Sequence, residues 1–261
     1  MASRNLPREI RTERLLLRRF LPSDRAALFA LNSDPRVTEF LPAVESRAES
    51  DTFAERLEAH FEDHGFGRWA VEVPGVVSFA GYIGLAVPRF EAHFTPCVEV
   101  GWWLASDCWG RGYASEGARA ALAFGFETLA LDEIVSFTVP ANVRSRRVME
   151  KMGMTHDPSQ DFDHPVLPEG HPLRRHVLYR VRKARLLEQR ARSRAALESS
   201  PARGRVVLEL RRLGMRTWRE LVVRSYRLVY RIEGETKTVL AVFDGRRDLA
   251  DVLLDRLLRM P

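Results

Sequence analysis

The residues whose types and spacing suggest chemistry lie at 98–117, in the sequence V-E-V-G-W-W-L-A-S-D-C-W-G-R-G-Y-A-S-E-G. This stretch begins as a short apolar run, passes through a glycine-containing loop and enters an alanine-rich segment. The pattern predicts a strand, a turn and a helix. Because a helix N-terminus presents unpaired N–H groups and a partial positive charge, the turn is a candidate site for a phosphate or pyrophosphate group.

Glu99 is the single carboxylate in the apolar run that opens this stretch. A carboxyl group buried among apolar side chains has a raised pKa, which suits it to accept a proton as a general base. A carboxylate that pairs with an arginine for structural reasons explains the same pattern equally well. We therefore expect Glu99 to be either a general base or half of a structural ion pair.

The composition is that of a folded protein without a membrane span. Of the 261 residues, 45% are hydrophobic, and no run approaches the ~20 apolar residues that cross a bilayer. The N-terminal sequence M-A-S-R-N-L-P-R-E-I has no apolar signal core, so a cytoplasmic location is expected. Cys97 and Cys108 match no metal-ligand spacing, and we expect free thiols in a reducing compartment.

Positive charge is concentrated in the last third of the chain, although the whole chain has a net charge of +6. From Ala184 onward there are 18 Lys and Arg against 10 Asp and Glu, whereas residues 1–183 contain 23 against 25. This asymmetry predicts two joined units of different origin, at 1–183 and 184–261.

The elements that must position the central stretch are predicted from hydrophobic periodicity and from turn and capping residues. Strands are expected at 14–20, 68–73, 77–87, 97–104, 133–139 and 178–181. Helices are expected from Ser23 or Asp24 to Asp34, and at 46–64, 112–129 and 142–152. Because strands and helices do not alternate regularly, the order predicts a mixed sheet with helices on both faces.

Three separated motifs resemble those of the GNAT acyltransferases, in particular the RimJ/RimL-type branch. They are T-E-R-L-L-L-R-R-F-L-P-S-D, then V-E-V-G-W-W-L with D-C-W-G-R-G-Y-A-S-E, and finally N-V-R-S-R-R-V-M-E-K-M-G-M. The resemblance covers about residues 10–183. It implies an α+β fold with a mixed, largely antiparallel central sheet flanked by helices. It also implies an N-acetyltransferase that moves an acetyl group directly from acetyl-CoA to a primary amine in a ternary complex. The implied acceptor is a protein N-terminus, a polyamine or a small-molecule amine.

The resemblance assigns the glycine-containing loop to the phosphates of acetyl-CoA. The family's loop begins with Gln or Arg, and this chain has Trp109 at that position. The departure matters little, because backbone N–H groups hold the pyrophosphate in such a loop. The residues implied to bind the phosphates are Arg111, Gly112, Tyr113, Ala114 and Ser115.

The resemblance also assigns the rest of the donor site. The strand before the loop is expected to separate from its neighbour, which leaves backbone groups near Trp103 and Leu104 for the pantetheine arm. Asn142 matches an Asn that contacts pantetheine, and it also suits a helix N-cap, with Ser145 one turn later on the cofactor side. Many relatives have a tyrosine in this helix that protonates the departing thiolate, but here Met149 stands at that position. Ser145, a water molecule or unassisted departure are the alternatives.

Four of the seven histidines lie in the stretch 156–176. Their spacing fits no common ligand pattern, so no metal is expected. The prolines between them predict a rigid loop, which we expect to border the acceptor site.

The last third resembles the RelE/ParE toxin family over about residues 185–255, through Y-R-L-V-Y-R and G-R-R-D. The family's first strand and first helix have no counterpart ahead of this block, so a partial domain is expected. It would contain a linker helix at about 182–199, a hairpin at about 219–243 with strands at 220–232 and 236–243, and a C-terminal helix at about 247–259.

This second resemblance implies an alternative function, a toxin-like module that binds RNA or protein and is carried on an acetyltransferase scaffold. It also implies an antitoxin-like partner or self-association through the C-terminal segment. Strand-edge aromatics and solvated arginines explain the same residues more simply, and the partial fold favours that interpretation over nucleic-acid binding. The residues with the charge and stacking surface for RNA are Tyr226, Arg227, Tyr230, Arg246 and Arg247.

Overall fold

The computed structural model describes residues 9–40 and 46–184, together with strands at 205–206, 218–223, 226–233 and 236–244. The chain divides into two compact units, Met1–Leu186 and Leu187–Pro261. The first unit contains the stretch at 98–117.

The first unit combines strands and helices along its whole described length. Its described strands are β1 (Ile10–Arg11), β2 (Leu16–Arg18), β3 (Arg68–Val73), β4 (Val77–Ala86), β5 (Glu99–Leu104), β6 (Glu133–Thr138), β7 (Thr155–His156), β8 (Phe162–Asp163) and β9 (Arg175–Arg182). Its described helices are α1 (Arg25–Ser33), α2 (Pro35–Thr38), α3 (Arg47–His64), α4 (Tyr113–Glu127) and α5 (Val143–Lys151). Short 3₁₀ turns lie at Pro22–Asp24, Ser106–Cys108 and Pro158–Gln160.

One mixed sheet organises this unit, with the strand order β1-β2-β3-β4-β5-β6-β9-β7 and with β8 paired to β9. Among the described strands, β5 and β6 pair in parallel and the other neighbours pair antiparallel. Side chains of α4 and α5 pack on one face, while those of α1 and α3 pack with Ala70 and Tyr82 on the other. The predicted α+β fold, a largely antiparallel sheet flanked by helices, is confirmed.

Helix α3 shows how local sequence sets an element. Its first turn is closed by a capping box, in which the Ser46 hydroxyl accepts from the Glu49 N–H and the Glu49 carboxylate accepts from the Ser46 N–H, both at 3.2 Å. Gly65 ends the helix with φ of 75°, a conformation that glycine adopts without strain. Between these ends, the buried face of α3 includes Ala54, Leu57 and Phe61.

Small residues bring α4 close to the sheet. A Cβ atom on Gly117 would lie 2.6 Å from Ile83 Cδ1, and one on Gly125 would lie 2.5 Å from Ile134 Cδ1. The absence of side chains therefore lets the helix backbone approach β4 and β6. This packing fixes the N-terminus of α4 beyond the end of β5.

Several predicted boundaries are wrong by a few residues. The first strand is shorter than the predicted 14–20, since β2 covers Leu16–Arg18, and the last strand is longer than 178–181, since β9 covers Arg175–Arg182. The two-residue strands β1, β7 and β8 have no periodicity that a sequence pattern can reveal.

The described part of the second unit is an antiparallel sheet in the order β10-β11-β12-β13. Its strands are β10 (Arg205–Val206), β11 (Trp218–Val223), β12 (Tyr226–Glu233) and β13 (Thr236–Asp244). The single strand predicted at 220–232 is wrong, because β11 and β12 are separate strands that pair antiparallel, with Val223 opposite Tyr226. The predicted linker helix from position 185 onward and the predicted helix at 247–259 lie outside the described residues.

Tyr230 and Val229 are fully buried in this sheet, and Trp218 is nearly so. A buried ring cannot stack on a nucleic-acid base, so the candidate RNA contact at Tyr230 is wrong. The side chains of Tyr226 and Arg227, and the residues at 246–247, lie outside the described part of the chain.

We predict that Gly81→Ala destabilises the protein more than Gly75→Ala. Both glycines have positive φ, of 132° and 75°, so alanine should cost about 1–3 kcal/mol in backbone strain at either position. A Cβ on Gly81 would lie 2.1 Å from the Trp103 carbonyl oxygen, whereas nothing lies within 4 Å of one on Gly75. The clash should add about 1–3 kcal/mol. Urea unfolding followed by tryptophan fluorescence measures the difference, and equal losses would contradict the close approach of β4 and β5.

Candidate active site

Strands β5 and β6 separate almost as soon as they meet. Their pairing is Glu99 opposite Val135, with the Val135 N–H donating to the Val98 carbonyl oxygen at 3.0 Å. In contrast, β5 pairs with β4 along its whole length. Beyond Glu99, therefore, one edge of β5 faces a gap in the described sheet, as the resemblance implies.

Alternation along β5 determines which backbone groups face this gap. The Ala105 N–H donates to the Ala80 carbonyl oxygen at 2.9 Å. Because backbone groups alternate in direction along a strand, the N–H and C=O groups of the odd-numbered residues in this segment point toward β4. The backbone groups facing the gap therefore belong to Trp102 and Leu104. Trp103, expected to present its backbone there, instead lies opposite Tyr82 in the ladder with β4.

Trp109 closes the loop that follows β5. Its indole N–H donates to the Leu104 carbonyl oxygen at 2.7 Å, and the Arg144 guanidinium lies 4.5 Å from its ring centroid. Trp109 thus has a structural role at the position where the family has Gln or Arg. Gly110 and Gly112 follow with φ of 74° and 81°, values that favour glycine and let the chain turn into α4.

The turn and the start of α4 bring the five predicted phosphate-binding residues together. The first hydrogen bond within the helix runs from the Glu116 N–H to the Gly112 carbonyl oxygen at 3.0 Å. The amides of Tyr113, Ala114 and Ser115 precede this bond, so they are the amides that a helix leaves unpaired at its N-terminus. The side chains of Tyr113 and Ser115 are buried, which leaves their backbone to meet a ligand.

Arg14 braces this turn from the N-terminal hairpin. Its guanidinium lies 2.6 Å from the Glu116 carboxylate and donates to the Arg111 carbonyl oxygen at 2.9 Å. Its backbone N–H also donates to Glu116 at 2.8 Å, and the Thr12 hydroxyl donates to the same carboxylate at 2.6 Å. Sequence analysis missed this brace, because its partners are 102 residues apart and carry no local pattern.

Glu99 lies where the two strands separate, and it is bound to Arg68 of β3. The carboxylate is buried and accepts a hydrogen bond from the Arg68 guanidinium, which also lies 4.5 Å from the Trp103 ring centroid. The Trp103 ring packs against Gly101, where a Cβ would lie 2.6 Å from its Cζ3 atom. The ion pair that the sequence left as an alternative is therefore present.

The pKa of Glu99 is nevertheless raised. Burial disfavours the charged form and is the largest cause, whereas the charge of Arg68 and its hydrogen bond act in the opposite direction. A carboxylate with a raised pKa is a better proton acceptor than an exposed one. The ion pair and the role of base are therefore compatible at this position.

The far side of the gap ends at Asn142 and α5. The Asn142 side chain accepts from the Ser145 N–H and donates to the Thr138 hydroxyl, both at 3.1 Å, so the predicted N-cap is confirmed. Ser145 is half-buried in the first turn of α5. Met149 is buried in the core and has no proton to donate.

The histidine-containing loop packs on aromatic residues beside β6. The His164 ring lies 4.5 Å from Phe90 and 5.1 Å from His176, and the His176 ring lies 6.0 Å from Phe137. Burial lowers the pKa of both histidines, which favours their neutral forms. Within the described residues, no three or more His, Cys, Asp or Glu side chains form a group suited to a metal ion.

Residues 14–155, more than half of the chain, match the family model described as an acetyltransferase (GNAT) domain. This chain belongs to the GNAT acetyltransferase family. The GNAT fold implies acetyl-CoA as the acyl donor. None of the helices in the described ranges has the length and apolar character needed to cross a membrane.

Residues 170–249 match a second family model, the ParE toxin of type II toxin-antitoxin system parDE. This match begins earlier than the resemblance predicted at about 185. It therefore includes β9, a strand that pairs with β6 and β7 in the sheet of the GNAT unit.

Similar proteins support the GNAT assignment. The chain is 29% identical to the uncharacterized N-acetyltransferase YnaD of Bacillus subtilis over 161 residues, which cover 62% of this chain and 89% of YnaD. An acetyltransferase structure from Agrobacterium tumefaciens is 28% identical with a TM-score of 0.55, and the match covers 70% of this chain and 98% of that one. The structure of spermidine N-acetyltransferase from Vibrio cholerae, solved with CoA and spermine, is 18% identical with a TM-score of 0.53. The match covers 67% of this chain and 99% of that one, and at this identity it shows a shared fold alone.

We predict that the pKa of the Cys97 thiol depends on the charge of Glu99. Burial, followed by the charge of Glu99, raises the pKa of the Cys97 thiol to about 11. Because the thiolate is the reactive form, alkylation by iodoacetamide should be slow at neutral pH and accelerate as the pH approaches that value. Glu99→Gln should move this acceleration to lower pH. Mass spectrometry in a Cys108→Ser background measures the rates, and identical pH profiles would show that Glu99 has no charge near this thiol.

Proposed function

We propose that this GNAT protein is an N-acetyltransferase of the RimJ/RimL type that transfers acetyl directly from acetyl-CoA to a primary amine in a ternary complex. The observation that carries the proposal is the gap between β5 and β6, which opens at Glu99 and ends beside the free amides of α4. The gap offers backbone groups to an extended arm, the helix start offers amides to phosphates, and a buried carboxylate lies between the two.

The donor would bind along the gap and the turn. Amides of the turn and of the α4 N-terminus, at Arg111 to Ser115, suit the pyrophosphate because they combine hydrogen-bond donors with the positive end of a helix. Backbone groups of Trp102 and the N–H of Leu104, whose carbonyl already accepts from Trp109, would bind the pantetheine arm, since an unpaired ladder edge gains hydrogen bonds from an amide-containing ligand. Asn142 would orient the same arm from the end of β6.

Glu99 would act as the general base. An alkylamine is mostly protonated near neutral pH, and the attacking nitrogen must lose a proton. Glu99, directly or through water, would accept that proton as nitrogen bonds to the thioester carbon and the carbon–sulfur bond breaks. Arg68 would hold the carboxylate in place, and the Ser145 hydroxyl would donate a hydrogen bond to the departing thiolate, which takes its proton from water.

Neither cysteine suits a covalent intermediate. Burial raises the pKa of Cys97 to about 11 and also raises the pKa of Cys108, so both thiols are protonated near neutral pH. A protonated thiol is a poor nucleophile. This supports direct transfer within a ternary complex.

Donor binding can be tested by thermal unfolding of the full chain. Acetyl-CoA at about 100 times its Kd should stabilise the protein by about 2.7 kcal/mol and raise its Tm. Arg14→Met, which removes the brace on the turn, should reduce this shift, whereas Arg11→Met, on an exposed ion pair, should leave it unchanged. No shift with acetyl-CoA at a concentration of about 1 mM would contradict the proposed function.

The role of Glu99 can be tested by the pH dependence of thiol release from acetyl-CoA. Glu99→Gln should lower kcat by roughly 10²–10⁴-fold near neutral pH, and the deficit should shrink as the pH approaches the amine pKa of about 10. The wild-type protein should lose activity as the pH falls through the raised pKa of Glu99. The control is Glu133→Gln on β6, which should keep the wild-type profile. A Glu99→Gln profile that overlays the wild type would remove Glu99 from the mechanism.

A second candidate function is a toxin-like module that binds RNA or protein, with an antitoxin-like partner. The ParE match at 170–249 favours it, while the burial of Tyr230 removes one of the candidate RNA contacts. Inducible expression of the full chain as Glu99→Gln separates this function from acetylation. Growth arrest by that variant would support the module, and normal growth would favour a structural role for the segment.

A further inference from the structure

Every carboxylate in the described strands β3 to β6 is bound to an arginine. Glu72 on β3 lies 3.0 Å from Arg18, Glu99 on β5 is bound to Arg68, and Glu133 on β6 lies 2.5 Å from Arg180 and 2.8 Å from Arg182. Alternation and register place these three side chains on one face of the sheet, the face opposite α4. The described strands β3 to β6 therefore present no unpaired carboxylate on the face of the sheet that carries Glu99.

Two acidic groups that flank α2, near the end of the gap, are paired as well. Asp34, before α2, binds Arg36 at 2.9 Å and accepts from the Ser106 hydroxyl at 3.0 Å. Glu39, after α2, lies 2.6 Å from Arg144 of α5. These contacts join α2 to the end of β5 on one side and to α5 on the other. Both carboxylates are therefore already bound and are not available to a cationic ligand.

Aromatic side chains flank the gap on the same face. Trp103 of β5 and Phe137 of β6 are half-buried and lie on the Glu99 side of their strands. The Trp103 ring stacks on Tyr82 at 5.0 Å, and the Phe137 ring lies 5.7 Å from Phe90. The two sides of the gap thus present partly exposed aromatic surface, held in place by further aromatic rings.

We infer that the acceptor carries one positive charge, at the reacting nitrogen, on an aromatic or otherwise apolar body. This inference rests on the proposed acetyltransferase function and concerns its acceptor. A polyamine carries further ammonium groups that need free carboxylates, and the carboxylates on the Glu99 face of β3 to β6 are already bound to arginines. An aromatic body gains instead from burial against Trp103 and Phe137.

Arg68 strengthens this preference. Its guanidinium lies between the Glu99 carboxylate and the Trp103 ring, so a fixed positive charge already occupies the position that would attract a second ammonium. Like charges at short range repel, most strongly where water is excluded. On the other side of the gap, His164 and His176 add no charge in their neutral forms.

The experiment compares acceptors with the full chain and acetyl-CoA, using 2-phenylethylamine, putrescine and spermidine. We expect kcat/KM for 2-phenylethylamine to exceed that for either polyamine by at least about tenfold. A peptide that begins with phenylalanine distinguishes a free amine from a protein N-terminus as the source of the same chemistry. A polyamine used more efficiently than both aromatic acceptors would overturn the inference.

Variants then assign the preference to named side chains. Phe137→Ala should lower kcat/KM for 2-phenylethylamine by about tenfold with little change for putrescine, and Phe137→Leu should retain most of the activity. Arg68→Met should narrow the difference between the two acceptors, while Arg119→Met, at an exposed position of α4, should leave it unchanged. Equal losses for both acceptors in both Phe137 variants would refute the role of the aromatic surface.

A measurement of amine binding tests the inferred acceptor class independently of the proposed reaction. Calorimetric titration of the CoA-saturated full chain should show binding of 2-phenylethylamine and much weaker binding of putrescine, and Phe137→Ala should weaken the former. This order would support the acceptor class even where no thiol is released, an outcome that would count against the proposed reaction alone. The reverse order of binding would overturn the acceptor class whatever the catalytic result.

Discussion

Strand β5 hydrogen-bonds fully to β4 but meets β6 at one pair, Glu99 opposite Val135. Backbone N–H and C=O groups need partners when they are removed from water, so a strand edge that opens inside a sheet needs either solvent or a ligand. The rest of the GNAT unit is arranged around this constraint. The α4 N-terminus lies past the end of β5, Asn142 caps the helix past the end of β6, and Glu99 lies where the two strands separate.

Three arginines around this opening tie neighbouring elements together. Arg14 ties the turn to the N-terminal hairpin, Arg68 fixes Glu99, and Arg144 packs on Trp109 while it binds Glu39. Net charge therefore misleads as a guide to ligands here. The slight acidity of residues 1–183 suggests attraction for cations, yet Glu72, Glu99 and Glu133 on the Glu99 face of the sheet are each bound to arginine.

The sequence predicted those features that short-range patterns encode. The strand at β5, the caps at Ser46 and Asn142, and the glycine turn into α4 each depend on residues a few positions apart. The partners of Glu99 and Glu116 could not be predicted, because Arg68 and Arg14 lie 31 and 102 residues away and any of 41 Lys and Arg could serve. The orientation of Trp103 was missed for a related reason, since the ladder with β4 decides it. The division of 220–232 into two strands was missed because no glycine, proline or asparagine lies between Val223 and Tyr226 to indicate a turn.

Strand β9 lies within the toxin-like sequence match but belongs to the sheet of the GNAT unit, which affects where the chain can be divided. It lies within the ParE match, yet it supplies β6 with nearly all of its backbone pairing, because β6 meets β5 at a single position. The position of β6, which forms one side of the gap, therefore depends on a strand that sequence similarity assigns to the ParE match. A shortened acetyltransferase cut where its family match ends, at residue 155, would lose the strand that holds β6 in place. The compact GNAT unit thus extends through β9 to Leu186, inside the span of the toxin-like match.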